Sequence, residues 1–404
     1  MVSVLSPSRC GSRALDGGLG RRPPSKESTS RNDKHGVRAH AVPRRSLLAG
    51  LGLGLGGGVE SPSMGSQIAL GGKGNRCDGI ASTSYFDQGP YKVGNVKLEH
   101  TCSICFPKVV GDQLIIRAHI FYPQTLRVAR ALERSGCEAV GRRQSGPWPL
   151  AVISSGFLVG SDQYRAYAER LASYGYVAVL YDKVENINST INDEVSSLFV
   201  TEIINWCSAS PIFQGNLKTE EVYLIGHSRG GKVSLLAAEA DDRVGAVLLL
   251  DPVDSNSYAP EGPGYPSAIR QMERLSGLPI AIVGGGRSGD CIPQSSNYER
   301  FFEGSPSSLT LELSIRDAGH FQFLGGRPSM MQTAVCSAGK IQNETVRDLS
   351  RAVMVAWAES MVSGRASSDR KRVGLMNASI GEMKEVLADR GVAQEGAFEF
   401  RWKA

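Results

Sequence analysis

Gly226-His227-Ser228-Arg229-Gly230 stands between the apolar run Val222-Tyr223-Leu224-Ile225 and the helix-forming stretch Lys232-Val233-Ser234-Leu235-Leu236-Ala237-Ala238. A strand, a tight turn and a helix in that order leave the chain little freedom. The serine of such a turn sits in a strained backbone, and a Cβ on either flanking glycine would strike the neighbouring strand or helix. Ser228 is therefore the candidate nucleophile, with Gly226 and Gly230 closing the elbow. Three fixed positions in five recur by chance, so a glycine-rich surface turn is the competing reading. The strand before and the helix after favour the elbow.

A serine hydroxyl needs a base to take its proton and a carboxylate to orient that base. In an α/β-hydrolase fold these follow the nucleophile in the order acid, then histidine. Of His35, His40, His100, His119, His227 and His320, only His320 follows Ser228. It ends the alternating stretch Leu311-Glu312-Leu313-Ser314-Ile315-Arg316-Asp317-Ala318-Gly319-His320, where the base is expected. The acid is expected where the buried-strand run Val244-Gly245-Ala246-Val247-Leu248-Leu249-Leu250 stops. Asp251 is the first choice, because Pro252 cannot donate to the ladder and turns the chain away. Asp254 is the runner-up. Asp317, in the same segment as the base, is third. An Asp-Pro turn with its carboxylate in solvent is the alternative for Asp251. The oxyanion calls for two backbone N–H donors, assigned to Arg229, after the nucleophile, and Phe157, after the strand-like Trp148-Pro149-Leu150-Ala151-Val152-Ile153-Ser154-Ser155-Gly156.

The fold expected is an α/β-hydrolase, a mostly parallel, doubly wound sheet with helices on both faces. Strands are predicted near 113–121, 149–154, 176–181, 221–226, 244–250, 279–284 and 309–315. Helices are predicted at 162–172, 191–207 and 345–361. Residues 76–363 form the expected catalytic domain, and 364–404 a polar linker with a short helix and a tail. The segment 255–277, with Tyr258, Pro260, Pro263, Tyr265 and Pro266, is a candidate lid or pocket wall, or else a surface excursion.

Beyond the triad the residues resemble a particular family. Gly226-His227-Ser228-Arg229-Gly230-Gly231-Lys232 is similar to the motif of plant and algal chlorophyllases. Leu250-Asp251-Pro252-Val253, Cys291-Ile292-Pro293 with Asn297 and Phe301, and Ala318-Gly319-His320 resemble further family segments in order. The resemblance spans about Phe86 to Val362 and departs at Ser155, where the family's loop carries histidine. It implies the triad Ser228, Asp251 and His320, hydrolysis of the phytyl ester of chlorophyll to chlorophyllide and phytol, and neither metal nor organic cofactor. The partner it implies is chlorophyll or a related tetrapyrrole ester, with peripheral thylakoid contact. Two other classes compete: a serine esterase or lipase acting on other acyl esters, and a catalytically idle pigment- or lipid-binding protein. The second is weak, since all three triad types stand in order.

Composition sets the remaining bounds. The first 59 residues hold ten Lys and Arg against Asp16, Glu27 and Asp33, with much Ser, Gly and Pro, which cannot bury a core and suits an organellar transit peptide. Residues 1–75 are therefore expected to be targeting segment and linker, disordered and directed to the chloroplast. Arg44-Arg45-Ser46-Leu47-Leu48 adds a twin-arginine-like signal for the lumen. Without the first 59 residues, Lys plus Arg falls from 45 to 35 and Asp plus Glu from 40 to 37, so the overall +5 becomes near −2 and gives no reason to expect nucleic acid. No run of eighteen apolar residues occurs, so no integral span is expected. Cys102-Ser103-Ile104-Cys105 has no second pair to complete a zinc site, and structural thiols or a local disulfide are expected instead. Gly284-Gly285-Gly286-Arg287-Ser288-Gly289 fits a dinucleotide-loop pattern, but Asp290-Cys291-Ile292-Pro293 follows where a helix should open. It reads as a turn near the mouth of the site.

Overall fold

Side chains along the central strands point alternately to two apolar layers, and that alternation builds the molecule. Ala151, Ile153, Tyr223, Ile225, Leu248, Leu250 and Val283 join one buried cluster. Leu150, Val152, Val222, Leu224, Val247, Leu249 and Ile282 join the other. Strands buried on both faces read as continuous apolar runs, as the sequence suggested. The computed structural model describes residues 84–124 and 147–403, except 187, 211, 214–215, 257–258, 327–329, 364–367 and 393–396. The expected targeting segment lies outside these residues, as does Tyr258 of the candidate lid.

Nine strands form one sheet: β1 (Lys92–Thr101), β2 (Ile115–Gln124), β3 (Trp148–Ser154), β4 (Val177–Lys183), β5 (Leu217–His227), β6 (Val244–Leu250), β7 (Ile280–Gly285), β8 (Thr310–Ile315) and β9 (Phe398–Trp402). Their spatial order is β1-β2-β4-β3-β5-β6-β7-β8-β9. The six strands from β4 to β8 run parallel, while β1, β2 and β9 are antiparallel additions at the edges. This is the α/β-hydrolase architecture, and it sets the carboxyl ends of β3, β5, β6, β7 and β8 side by side.

Helices cover both faces. On the first lie α1 (Arg165–Ser173) and, further along the chain, the Asn343–Met361 helix; on the second lie α2 (Asp193–Ala209) and α3 (Arg229–Ala240). Short helices α4 (Ala268–Gln271), α5 (Tyr298–Gly304) and α6 (Met330–Val335) follow, so the Asn343–Met361 helix is α7. Asn192 starts α2 by accepting the Val195 N–H at 2.9 Å, the usual side-chain answer to an unpaired first-turn donor.

The carboxyl terminus differs from the expected linker and tail. Asp369–Asp389 forms α8, which buries Met376, Ile380, Met383 and Leu387, a stripe at three- and four-residue spacing. Its first turn, Asp369-Arg370-Lys371-Arg372, is charged and Gly374 follows it, which is why only the part from Ile380 onward reads as helix in sequence. β9 then pairs with β8, and Arg401 makes a two-pronged contact with the buried Glu312 carboxylate, at 2.6 and 3.0 Å. β1 was also unforeseen. Only Gly94 of its ten residues is buried, so no apolar run announced it.

Candidate active site

The elbow is built as its glycines require. A Cβ on Gly226 would lie 2.2 Å from the Gly230 carbonyl oxygen, and one on Gly230 would lie 2.1 Å from that of Ser154. Ser228 joins β5 to α3 at φ 56° and ψ −126°. Among the described residues the non-glycine positions with positive φ are Leu158, Ser228 and Asp251, and all three surround this point. Such strain is held only where the surroundings over-determine it, and it concentrates at working sites.

Three side chains meet there. Ser228 Oγ–H donates to His320 Nε2 at 2.9 Å, and His320 Nδ1–H donates to Asp251 Oδ2 at 2.6 Å. A carboxylate only accepts, so it assigns the proton to Nδ1 and leaves Nε2 bare toward the serine. Asp251 is fully buried and carries two further donors: the Gly285 N–H at 2.9 Å to Oδ1 and the Ser288 hydroxyl at 2.6 Å to Oδ2. Both come from the Gly284–Gly289 turn, which opens no helix of the kind a dinucleotide loop would need and instead cradles the acid. Ser288 was not foreseen, because a lone serine 37 residues from its partner leaves no spacing signal.

The two other carboxylates stand elsewhere. Asp254 accepts the Ser267 hydroxyl and the Ala268 N–H, each at 2.6 Å, and so fastens the chain entering α4. Asp317 pairs on the surface with Arg287 Nε at 2.9 Å, and that hydrogen bond draws its pKa below the usual carboxylate value. Neither reaches His320.

The turn after β3 lies against the nucleophile: a Cβ on Gly156 would come within 3.3 Å of Ser228 Cβ. The Gly156 N–H is already donated to the Tyr164 hydroxyl at 3.1 Å. Phe157 follows with its side chain 44% exposed, its ring 5.6 Å from the Arg229 guanidinium. Of the two expected oxyanion donors, Arg229 directly follows Ser228, and Phe157 directly follows Gly156, the glycine packed against the nucleophile; Ser155, not histidine, precedes Gly156. The Ser155 hydroxyl is buried with no hydrogen-bond partner. It borders a polar cavity of about 210 Å³ that Leu158, Tyr181, Asp182, Glu185 and Arg229 also line.

Arg229 and Lys232 share one anion. Arg229 Nε–H donates to Asp193 Oδ1 at 2.6 Å, and Lys232 Nζ lies 2.9 Å from Oδ2. The Arg229 guanidinium also donates to the Ile191 carbonyl. These contacts bind the start of α3 to the start of α2. Nearby Lys183, 3.6 Å from Glu185, is pushed down to about 8 by burial.

Two disulfides form among the described cysteines. Cys102 pairs with Cys105, making the Cys-x-x-Cys a local bridge, and Cys291 pairs with Cys336. The second ties the turn that holds Ser288 to the segment after His320. Cys207 is free and buried. No cluster of three or more His, Cys, Asp or Glu with metal-binding geometry occurs among the described residues.

A family model described as chlorophyllase matches residues 137–379, well over half of the chain. This chain belongs to the chlorophyllase family. Chlorophyllase-1 of Arabidopsis thaliana is 24% identical to it over 251 residues, 56% of this chain and 76% of that protein. A bis(hydroxyethyl) terephthalate hydrolase of Streptomyces coelicolor is 26% identical over 179 residues, 44% of this chain and 51% of that protein. The protein is accordingly a carboxylic ester hydrolase.

Proposed function

We propose that this member of the chlorophyllase family hydrolyses the phytyl ester of chlorophyll, with Ser228 as nucleophile, His320 as general base and Asp251 as its orienting carboxylate. The single observation that carries the reading is the unbroken hydrogen-bonded chain Ser228–His320–Asp251 at the carboxyl edge of the sheet. Ser228 Oγ attacks the propionate ester carbonyl while His320 Nε2 takes its proton. The tetrahedral oxyanion accepts the N–H groups of Phe157 and Arg229. Collapse breaks the carbonyl–alkoxide bond, His320 Nε2–H protonates the departing phytol oxygen, and an acyl-enzyme remains. Water, deprotonated by His320, then attacks the acyl carbon and releases chlorophyllide and free Ser228. Asp251 stabilises the imidazolium in both steps without itself taking a proton.

An apolar substrate calls for apolar surface near the nucleophile. The exposed Phe157 and Leu158 beside it, Met330 and Val335 after the base, and Ile104, Phe106 and Val110 in the loop joining β1 to β2 all belong to segments that leave the sheet at its carboxyl edge. That distribution supports peripheral contact of this edge with the thylakoid lipid surface. Among the described residues no helix is long and apolar enough to cross a membrane. The basic, acid-poor residues 1–59 support chloroplast import.

The similarity to a terephthalate diester hydrolase favours, as a second reading, a broader acyl-ester substrate range. Purified protein given chlorophyll a, pheophytin a and a long-chain p-nitrophenyl ester separates the two readings by chromatography of products. Chlorophyllide and phytol in equal amounts support the first. Turnover of the synthetic ester alone transfers the assignment to the second.

A further inference from the structure

His227, the second residue of the elbow, is 1% exposed and has both ring nitrogens engaged. Nε2 lies 3.1 Å from the main-chain carbonyl oxygen of His320, and Nδ1 lies 2.8 Å from the Tyr164 hydroxyl. A carbonyl only accepts, so Nε2 carries the proton and Nδ1 accepts from tyrosine. The tyrosine oxygen in turn accepts the Gly156 N–H at 3.1 Å. One chain of hydrogen bonds therefore joins the turn after β3, the nucleophile elbow and the turn after β8. The imidazoles of His227 and His320 also stack, with centroids 4.8 Å apart and planes 28° from parallel.

We infer that His227 is a positioning residue for the acyl transfer proposed above, holding the His320 backbone so that its imidazole bridges Ser228 and Asp251. Through Tyr164 it also takes up the Gly156 N–H, leaving the next one, from Phe157, to meet the oxyanion. The inference rests on that reading of the site. Burial, then the nearby His320, holds the pKa of His227 well below the usual histidine value, so the ring is neutral. A neutral ring neither competes for Asp251 nor repels the imidazolium that His320 becomes. The elbow pattern leaves this residue unspecified, and its role emerges only from the three loops meeting on it.

Substitution can separate the two ends of the bridge. A glutamine amide reaches the place of Nε2 and keeps the donor to the His320 carbonyl, whereas an asparagine amide reaches the place of Nδ1 and loses it. Displacing a catalytic group by a fraction of an ångström lowers kcat more than KM, so His227→Asn is expected to lose at least about tenfold in kcat with KM within about twofold, and His227→Gln to stay within about threefold of the parent. The same preparations are examined by proton NMR for the Nδ1–H of His320, whose far-downfield signal should move in the asparagine variant and stay in the glutamine variant. Equal kcat in the parent and His227→Asn overturns the inference, as do equal losses in both variants, which would mark a packing role only. Should His227→Asn fail to fold, Tyr164→Phe removes the other end of the bridge while keeping its ring. A kcat about tenfold lower at constant KM supports the inference, and an unchanged kcat overturns it. A parent protein that turns over no ester at all sinks the proposed function, and the His320 resonance then still decides whether His227 sets the imidazole.

Discussion

Ser228, Asp251 and Leu158 hold left-handed backbone that costs of order 1–3 kcal/mol each, and the elbow, the Pro252 turn and the loop after β3 supply the restraint. Because Ser228 is small and its hydroxyl bonds His320, Ser228→Ala should leave the melting temperature near the parent's. Ester turnover should fall by about 10⁴-fold or more, measured as kcat on a p-nitrophenyl ester. The two aspartates of the Asp251-Pro-Val-Asp254 segment should separate cleanly. Asp251→Asn removes the acceptor that fixes the His320 tautomer and should lose on the order of 10⁴ in kcat. Asp254→Asn disturbs only the bonds from Ser267 and Ala268, so it should cost about 1–3 kcal/mol of stability with kcat little changed. A turnover defect confined to Asp254→Asn would reverse the assignment. His227 adds a pH dependence. It stays neutral in the fold while the unfolded chain protonates near the ordinary value of 6.5, so stability is lost as pH falls through and below 6.5. Denaturant titrations from about pH 7 to about pH 5 should show a steeper acid loss in the parent than in His227→Asn, by up to about 1.4 kcal/mol per pH unit. Parallel curves would show that His227 is not held neutral.

At the scale of elements, the start of α3 is tied to the start of α2 by one carboxylate. Asp193→Asn would leave Arg229 and Lys232, both buried, without their shared anion, and breaking a buried pair in this way costs about 3–5 kcal/mol. The expected result is a large drop in unfolding midpoint. A midpoint within a degree of the parent's would mean that Glu185 and water replace the anion. The sheet edge makes a second case. β9 covers β8, and Arg401 answers the buried Glu312, whose pKa burial raises. A chain ending before residue 398 bares a strand edge and an unpaired carboxylate, so it should melt lower and associate in light scattering. Monomeric behaviour with an unchanged melting temperature would make β9 dispensable.

For the molecule as a whole, the parallel strands were legible because each is an apolar run buried on both faces. The elbow motif marked Ser228, the end of an apolar strand before Pro252 marked Asp251, and chain order marked His320 as the sole histidine after Ser228; the structure brings those three side chains together. The edges were not legible. β1 and β9 expose much of their length and pair with partners defined only in space, while the first turn of α8 is charged. Ser288, Tyr164 and the pairing of Cys291 with Cys336 are likewise contacts between distant segments that no spacing announces. The role proposed for residues 1–59 is testable in the same terms: a fluorescent protein fused behind them should enter chloroplasts, and their deletion should leave turnover unchanged in vitro. Cytosolic retention of the fusion would remove the targeting proposal. Ser228 is proposed to form the covalent intermediate from which every later step proceeds. The most direct measurement treats the full chain with a fluorophosphonate, maps the adduct by peptide mass spectrometry and follows residual esterase activity in parallel. A single adduct is expected, on Ser228, with an extent that matches the loss of turnover. An adduct on another residue, or full turnover with Ser228 fully modified, would contradict it.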